Sequence, residues 1–237
     1  MSEFAAVFFD LKGTLWDSAG CAEHVLEIVL PKLMPHLPDH AEPAEVARRF
    51  NAALLQGAGE EGLATDNRFS SSERFQRLLR SYGVDKQGLA RELSSRYNQV
   101  RRLAMRNYVR PGAAAVLQNL RGRGIATGVI TNGGPAIQRQ LLRALALDDL
   151  LDYVVIGGIE GYSKPDPRLF ERALDLAGVE AKETLYVGDT LATDVLGAKR
   201  AGIRVAWLGD NRQKVPEGLP EPDHVIREIP QVLTLLD

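Results

Sequence analysis

The first apolar run of the chain, Ala5-Ala-Val-Phe-Phe9, ends on an acid, Asp10, and is apolar on both of its faces. That pattern is expected of a strand buried in a parallel sheet. The period then changes. Leu26, Val29, Leu30 and Leu33 recur at i, i+3, i+4 and i+7, as do Phe75, Leu78, Leu79 and Tyr82, and Leu89, Leu93, Tyr97 and Val100 carry the stripe into a later segment. Such spacing lines one face of an α-helix. Residues 16–108 are therefore expected to form a helical block without strands.

Beyond Pro111 helix and strand alternate. A helix over 113–123 is stopped by Gly124 and leads into a strand over 125–131. Further strands are expected at 153–157, 184–188 and 203–208. Helices are expected at 167–177 and 192–201, each running into a glycine, Gly178 and Gly202. Repeated β-α units make a mostly parallel sheet with helices on both faces. The fold expected is α/β, with a Rossmann-like core of residues 1–15 and 109–237 and the helical block inserted after the first strand.

Composition leaves this picture intact. Of 237 residues 45% are hydrophobic and 25% charged, which excludes a disordered or collagen-like chain. With 29 basic and 31 acidic residues the net charge is −2, which gives no polyelectrolyte signal for nucleic acid or an anionic membrane. The first apolar run stops far short of the roughly 20 residues of a membrane span. The single cysteine, Cys21, cannot form an internal disulfide. With no signal-peptide pattern, this leads to the expectation of a soluble protein in a reducing cytoplasm.

Polar clusters sit at or just beyond four strand ends, where open α/β sheets gather their ligands. They are Asp10-Leu-Lys-Gly-Thr14, Thr131-Asn132-Gly-Gly, Ser163-Lys164-Pro-Asp-Pro167 and Gly188-Asp189-Thr-Leu-Ala-Thr-Asp194. Each alone reads more readily as a turn or a helix cap than as a site: Asp166-Pro167, for example, is an N-cap followed by proline at the first helical position. Four in order at one edge of one sheet call for a shared chemistry. The histidines, His24, His36, His40 and His224, are too scattered for a zinc site, and there is no glycine-rich nucleotide fingerprint.

With these four clusters the sequence resembles the haloacid dehalogenase-like hydrolases, a superfamily made up mostly of phosphatases, along the whole chain. The resemblance implies that residues 16–108 are a helical cap. It implies that Asp10 is a nucleophile forming an aspartyl-phosphate. Thr131 would hold the phosphoryl group with the Asn132 backbone beside it, and Lys164 would balance the charge of nucleophile and phosphoryl oxygens. Asp189 and Asp194 would position Mg²⁺ together with Asp10 and the main-chain carbonyl of Lys12. A small phosphorylated metabolite is the implied substrate, with no nucleic acid or membrane as partner and a monomer or homodimer as the assembly. A carboxylate attacking a phosphate meets like-charge repulsion, so a lysine and a metal ion are the physically required complement.

One position departs from the family pattern. Its phosphatases carry a second aspartate two residues after the nucleophile, as the acid/base group, and this chain has Lys12 there. A charged lysine can donate a proton to a leaving group but cannot take one from water. The expectation is a slow phosphatase or, alternatively, a catalytically impaired protein that binds a phosphorylated ligand or a protein partner. The family's dehalogenases also lack the second aspartate, but use no metal and lack the acidic fourth motif that Asp189 and Asp194 provide. Its phosphonatases use a Schiff-base lysine from the cap, where this chain offers only Lys32 and Lys86. Between Arg74 and Arg110 there are ten basic residues against Asp85 and Glu92. They read as a solvated face or, more sharply, as arginines gripping a second anionic group of the substrate. Residues 56–72, rich in glycine and polar side chains, are a second candidate wall of the substrate cleft.

Overall fold

Strand β1 (Ala6–Phe9) is buried at every position and lies at the centre of a six-stranded sheet. The other strands are β2 (Ala126–Thr131), β3 (Tyr153–Ile156), β4 (Thr184–Gly188), β5 (Arg204–Leu208) and β6 (His224–Ile226). All neighbours are parallel, in the order β3-β2-β1-β4-β5-β6. A central parallel strand has both faces covered, which is why β1 carries no polar residue. The strand order reverses between β1 and β4, and this topological switch point is where such sheets open a crevice for ligands. The computed structural model describes residues 3–55, 70–210 and 212–236, with backbone alone for 52–55.

The chain divides into two compact units, Met1–Asp17 with Val109–Asp237, and Ser18–Tyr108. The second unit contains helices α1 (Ser18–Leu33), α2 (Pro43–Leu55), α3 (Ser71–Ser81) and α4 (Gln87–Ala104), and no strand among its described residues. The apolar stripes meet inside it. Phe50, Phe75 and Tyr97 pack as a ring triad with centroids 4.5, 5.4 and 5.9 Å apart. Each such pair contributes about 0.5–1.5 kcal/mol beyond its buried area. Helix α3 starts in a capping box, Ser70 Oγ accepting from Glu73 N while the Glu73 carboxylate accepts from Ser70 N.

The sheet unit carries α5 (Ala113–Gly122), α6 (Pro135–Leu145), α7 (Gly157–Glu160), α8 (Pro167–Ala177) and α9 (Leu196–Arg200). Helix α8 has the ends its sequence encodes. Asp166 caps it by accepting from Arg168 N, Pro167 opens it, and Gly178 closes it with φ +64°. Helix α6 and strand β6 have no counterpart among the expected elements. Gln138 stands at a buried position of α6 and interrupts its apolar stripe, and β6 is only three residues long. The helix expected over 192–201 is really a π-turn, Leu191–Val195, followed by α9. The Asp194 carboxylate accepts from Thr190 N at 2.9 Å and ties this turn to the residue that precedes it. Among the described residues no helix is long and apolar enough to cross a membrane.

Candidate active site

Register delivers the first carboxylate. Asp10 follows β1 directly, and its backbone N–H donates to Val187 O of β4 at 2.8 Å, which fixes where the side chain leaves the sheet. The chain then turns tightly: Leu15 N and Trp16 N both donate to Leu11 O, and Gly13 N donates to Trp16 O. Gly13 has φ +90°, and a Cβ there would overlap the carboxylate of Asp189. Glycine is required on both counts, backbone and space. The loop after β1 therefore lies directly against the loop after β4. The buried hydroxyl of Thr14 donates to Asp189 Oδ1 at 3.1 Å, and Trp207 Nε1 donates to Asp189 O at 2.8 Å.

Lys164 enters from the loop before α8. Its backbone N–H donates to Asn132 Oδ1 at 2.8 Å, and Asn132 Nδ2 donates back to Lys164 O at 3.2 Å. The loop after β2 thus clamps the loop that carries the lysine. Lys164 is 3% exposed, so its charge must be met inside the protein. Its Nζ donates to Asp10 Oδ1 at 2.5 Å, Asp194 Oδ1 at 2.6 Å and Tyr186 Oη at 3.0 Å. Thr131 is buried at the end of β2, its hydroxyl donating to Asn132 O at 3.3 Å. Lys12 is half-buried in the turn after Asp10, where its backbone pairs with Trp16.

Three carboxylates, Asp10, Asp189 and Asp194, offer oxygens that all lie within 4.8 Å of one another. Burial pushes the Asp10 carboxyl up to about 8, with the Asp194 and Asp189 charges adding to the rise and Lys164 opposing it. Burial and Asp194 likewise raise Asp189 to about 6. For the Lys164 ammonium burial works downward, but the charges of Asp10 and Asp194 outweigh it and hold the group above its ordinary range. These shifts agree with one another: three carboxylates crowd around one ammonium, so negative charge is in excess. Burial also raises the Tyr186 phenol, which stays a neutral donor and acceptor. A cluster of hard oxygen donors with surplus negative charge suits a divalent cation of the Mg²⁺ type.

The four sequence clusters thus converge on one edge of the sheet, as far as Asp10, Asn132, Lys164, Asp189 and Asp194 are concerned. Tyr186 and Thr14 also belong to the cluster and were not among the expected site residues. Tyr186 is concealed in an apolar strand, where its one signal is a polar-tipped ring three residues before Asp189. Of the basic residues between 74 and 110, Arg77, Arg91, Arg96, Arg102 and Arg106 are exposed, as a solvated face requires, and Arg74 is the exception. Arg74 is buried, its guanidinium 4.7 Å from the Phe50 ring centre, and Arg80 lies 3.6 Å from Asp85. Arg110 belongs to the sheet unit and donates to Gly13 O at 3.0 Å. Lys32 pairs with Glu92 at 2.7 Å, and Lys86 precedes α4. Of the expected cleft loop 56–72, residues 56–69 lie outside the described residues, and Ser70–Ser72 open helix α3.

Comparison with known proteins agrees with this geometry. Residues 4–202 match the family model described as haloacid dehalogenase-like hydrolase. The chain is 29% identical to a glyceraldehyde 3-phosphate phosphatase from Pyrococcus furiosus, over 100% of this chain and 95% of the relative. It is 30% identical to the N-acylneuraminate-9-phosphatase of Mus musculus, over 100% of this chain and 96% of the relative. The fold superposes on the magnesium-bound HAD-hydrolase YfnB from Bacillus subtilis with a TM-score of 0.78 at 22% identity, covering 99% of each chain.

Proposed function

This chain belongs to the haloacid dehalogenase-like hydrolase family, and we propose that it is a Mg²⁺-dependent phosphatase of a small phosphorylated metabolite, working through an aspartyl-phosphate on Asp10. The observation that carries this reading is the buried Lys164 ammonium bridging Asp10 and Asp194 within a set of three converging carboxylates. The family's name covers more than one reaction. A carbon–halogen bond needs a lone attacking carboxylate, whereas the surplus of buried acids here suits a cation and a phosphate. Phosphatase relatives that align along the full chain support the same substrate class and, acting on different compounds, select none of them.

In this reading an Asp10 oxygen attacks phosphorus in line with the departing oxygen. The new O–P bond forms as the ester P–O bond breaks. Lys164 draws the phosphoryl oxygens toward Asp10 and offsets their repulsion, while the Thr131 hydroxyl and the Asn132 N–H donate to them. Asp10, Asp189, Asp194 and the Lys12 carbonyl would hold Mg²⁺, which when bound supplies positive charge to the transferring group. Lys12 can give its proton to the departing oxygen and is then re-protonated from solvent. It cannot accept one from the water that must hydrolyse the aspartyl-phosphate, so this second step is the slow one. The helical unit Ser18–Tyr108 is the cap in this reading and selects the substrate.

The experiment is a rapid quench with an aryl phosphate, whose leaving group needs no acid. A burst of released phenol, phosphate trapped on Asp10 and slow turnover are expected. Lys12→Asp should raise turnover by about 10²-fold, the low end of what an acid/base group supplies. If the wild type forms no phosphoenzyme and Lys12→Asp is inert across a broad panel of phosphomonoesters, catalysis is lost as a reading. Binding of a phosphorylated ligand, the alternative that Lys12 itself favours, then takes its place.

A further inference from the structure

A lysine ammonium has three protons, and the geometry assigns a partner to each at Lys164: Asp10 Oδ1, Asp194 Oδ1 and Tyr186 Oη. The third partner is neutral and lies in the sheet itself. Tyr186 is fully buried in β4, in register with Phe8 of β1 and Val205 of β5. The Phe170 ring meets it edge-on at 5.0 Å and 75°. Its hydroxyl is 2.9 Å from Asp194 Oδ1 and 3.4 Å from Ile130 O.

A buried phenol needs a partner, and the Ile130 carbonyl alone would provide one. The shorter contacts instead go to two charged groups of the site. Tyr186 accepts from Lys164 and donates to Asp194, closing a triangle with sides of 2.6, 2.9 and 3.0 Å. Lys164 cannot swing along Asp194 without also losing the phenol. Asp194 is held at its other oxygen by Thr190 N at 2.9 Å, so both members of the pair are fixed from the protein side.

We infer that Tyr186 is a positioning residue, which fixes the Lys164 ammonium and the Asp194 carboxylate in the arrangement that phosphoryl transfer uses. This rests on the phosphatase reading for its catalytic consequence but not for its geometry. Tyr186→Phe keeps the ring and removes only the hydroxyl. It leaves one Lys164 proton without its acceptor and Asp194 Oδ1 with one donor fewer.

Two readouts are needed on the full chain. The Lys164 ammonium faces the phosphoryl group both in its transfer to Asp10 and in its transfer on to water, so with an aryl phosphate and Mg²⁺ Tyr186→Phe should lower the burst rate and kcat alike, about tenfold per folded site, while KM stays within about twofold, in line with the 10–100-fold typical of losing an outer-shell partner. A purely structural tyrosine would lower the melting temperature and leave kcat per folded site unchanged. Independently of turnover, the ¹⁵N ammonium resonance of Lys164, assigned by its loss in Lys164→Arg, should exchange with water slowly in the wild type and faster in Tyr186→Phe. Absence of wild-type turnover would defeat the phosphatase reading and, with it, the catalytic role of Tyr186, while the exchange rates alone would then judge the geometric one. Unchanged ammonium exchange, or unchanged kcat per folded site, overturns the role given to Tyr186. Should Tyr186→Phe fail to fold, the wild type carries the test. A nuclear Overhauser contact between the Tyr186 ring protons and the Lys164 ammonium is expected, and its absence refutes the triangle.

Discussion

Kept free of divalent cations, this protein should depend on pH for its stability in an unusual direction. Asp10 is 7% exposed, and its carboxyl is held up to about 8, against the ordinary value of 3.8. Between those limits the folded chain keeps a proton that the unfolded chain has released. The slope of unfolding free energy with pH is 2.303RT times the protons bound unfolded minus those bound folded, and here that difference is negative. Stability therefore falls as pH rises from about 4 to about 8, and the loss is complete above that. One proton over about three pH units, from about pH 5 to pH 8, costs at most ~4 kcal/mol at ~1.36 kcal/mol per unit. Asp189, raised to about 6, titrates in the same field, so its contribution is not added. Taking about half the ceiling for relaxation of a crowded site, the melting temperature should drop by roughly 4–8 °C. The assay is a thermal melt in chelator across that range, repeated with Mg²⁺ and with Asp10→Asn. Mg²⁺ should raise the midpoint more at pH 8 than at pH 5, because at the lower pH protons compete for the same oxygens. Asp10→Asn should flatten the profile. A flat wild-type melt in chelator, or a variant that keeps the full wild-type slope, would refute the picture of surplus buried charge.

Two further outcomes concern packing. A Cβ on Gly128 would overlap the Phe8 ring and stand 3.0 Å from Tyr153 O, so Gly128→Ala should cost about 1–3 kcal/mol in urea unfolding; a neutral result would mean that the centre of the sheet is not tightly packed. Arg74 is 6% exposed, Nε and Nη1 have no hydrogen-bond partner, and burial lowers its pKa. Arg74→Met should therefore stay within about 1 kcal/mol of the wild type, or exceed it; a loss of about 3 kcal/mol would mean that the charge is paired.

How much of this was legible in the sequence follows from what fixes each feature. Strand ends were legible because a parallel sheet brings every carboxyl end to one edge, so polar residues after apolar runs must converge there. The expected strands at 125–131 and 184–188 differ from β2 and β4 by no more than one residue. Helix α6 was not legible because Gln138 is buried where the stripe calls for an apolar side chain. Tyr186 was hidden for the converse reason: in a buried strand a tyrosine reads as core, and only the lysine brought from the loop before α8 gives its hydroxyl a role. Within the run of arginines the exposed ones fit the solvated face expected of them, and the buried Arg74 does not. A helix spreads consecutive residues around its axis, and Arg74 and Arg110 end in different units.

Lys12 poses the remaining energetic question, and magnitudes decide it. Two residues along an extended backbone span at most about 7 Å, so the backbone of Lys12 stays close to that of Asp10. Were its ammonium to come within a comparable distance of the Asp10 carboxylate, the two charges would interact by roughly 2 kcal/mol for an effective dielectric of about 20. A positive charge there favours the Asp10 carboxylate and any phosphoryl oxyanion beside it, in a site whose bonded groups already include three acids and one ammonium. An aspartate in its place would add a fourth acid. Against that gain, the lost acid/base group costs about 10²–10⁴ in rate, or roughly 3–5 kcal/mol of barrier. The two effects do not cancel, and they act on different states. On the proposed phosphatase reading the charge would stabilise the bound phosphate and the phosphoenzyme, whereas the missing base would raise the barrier out of the phosphoenzyme. In that reading Lys12 would thus shift the chain toward holding phosphate rather than releasing it.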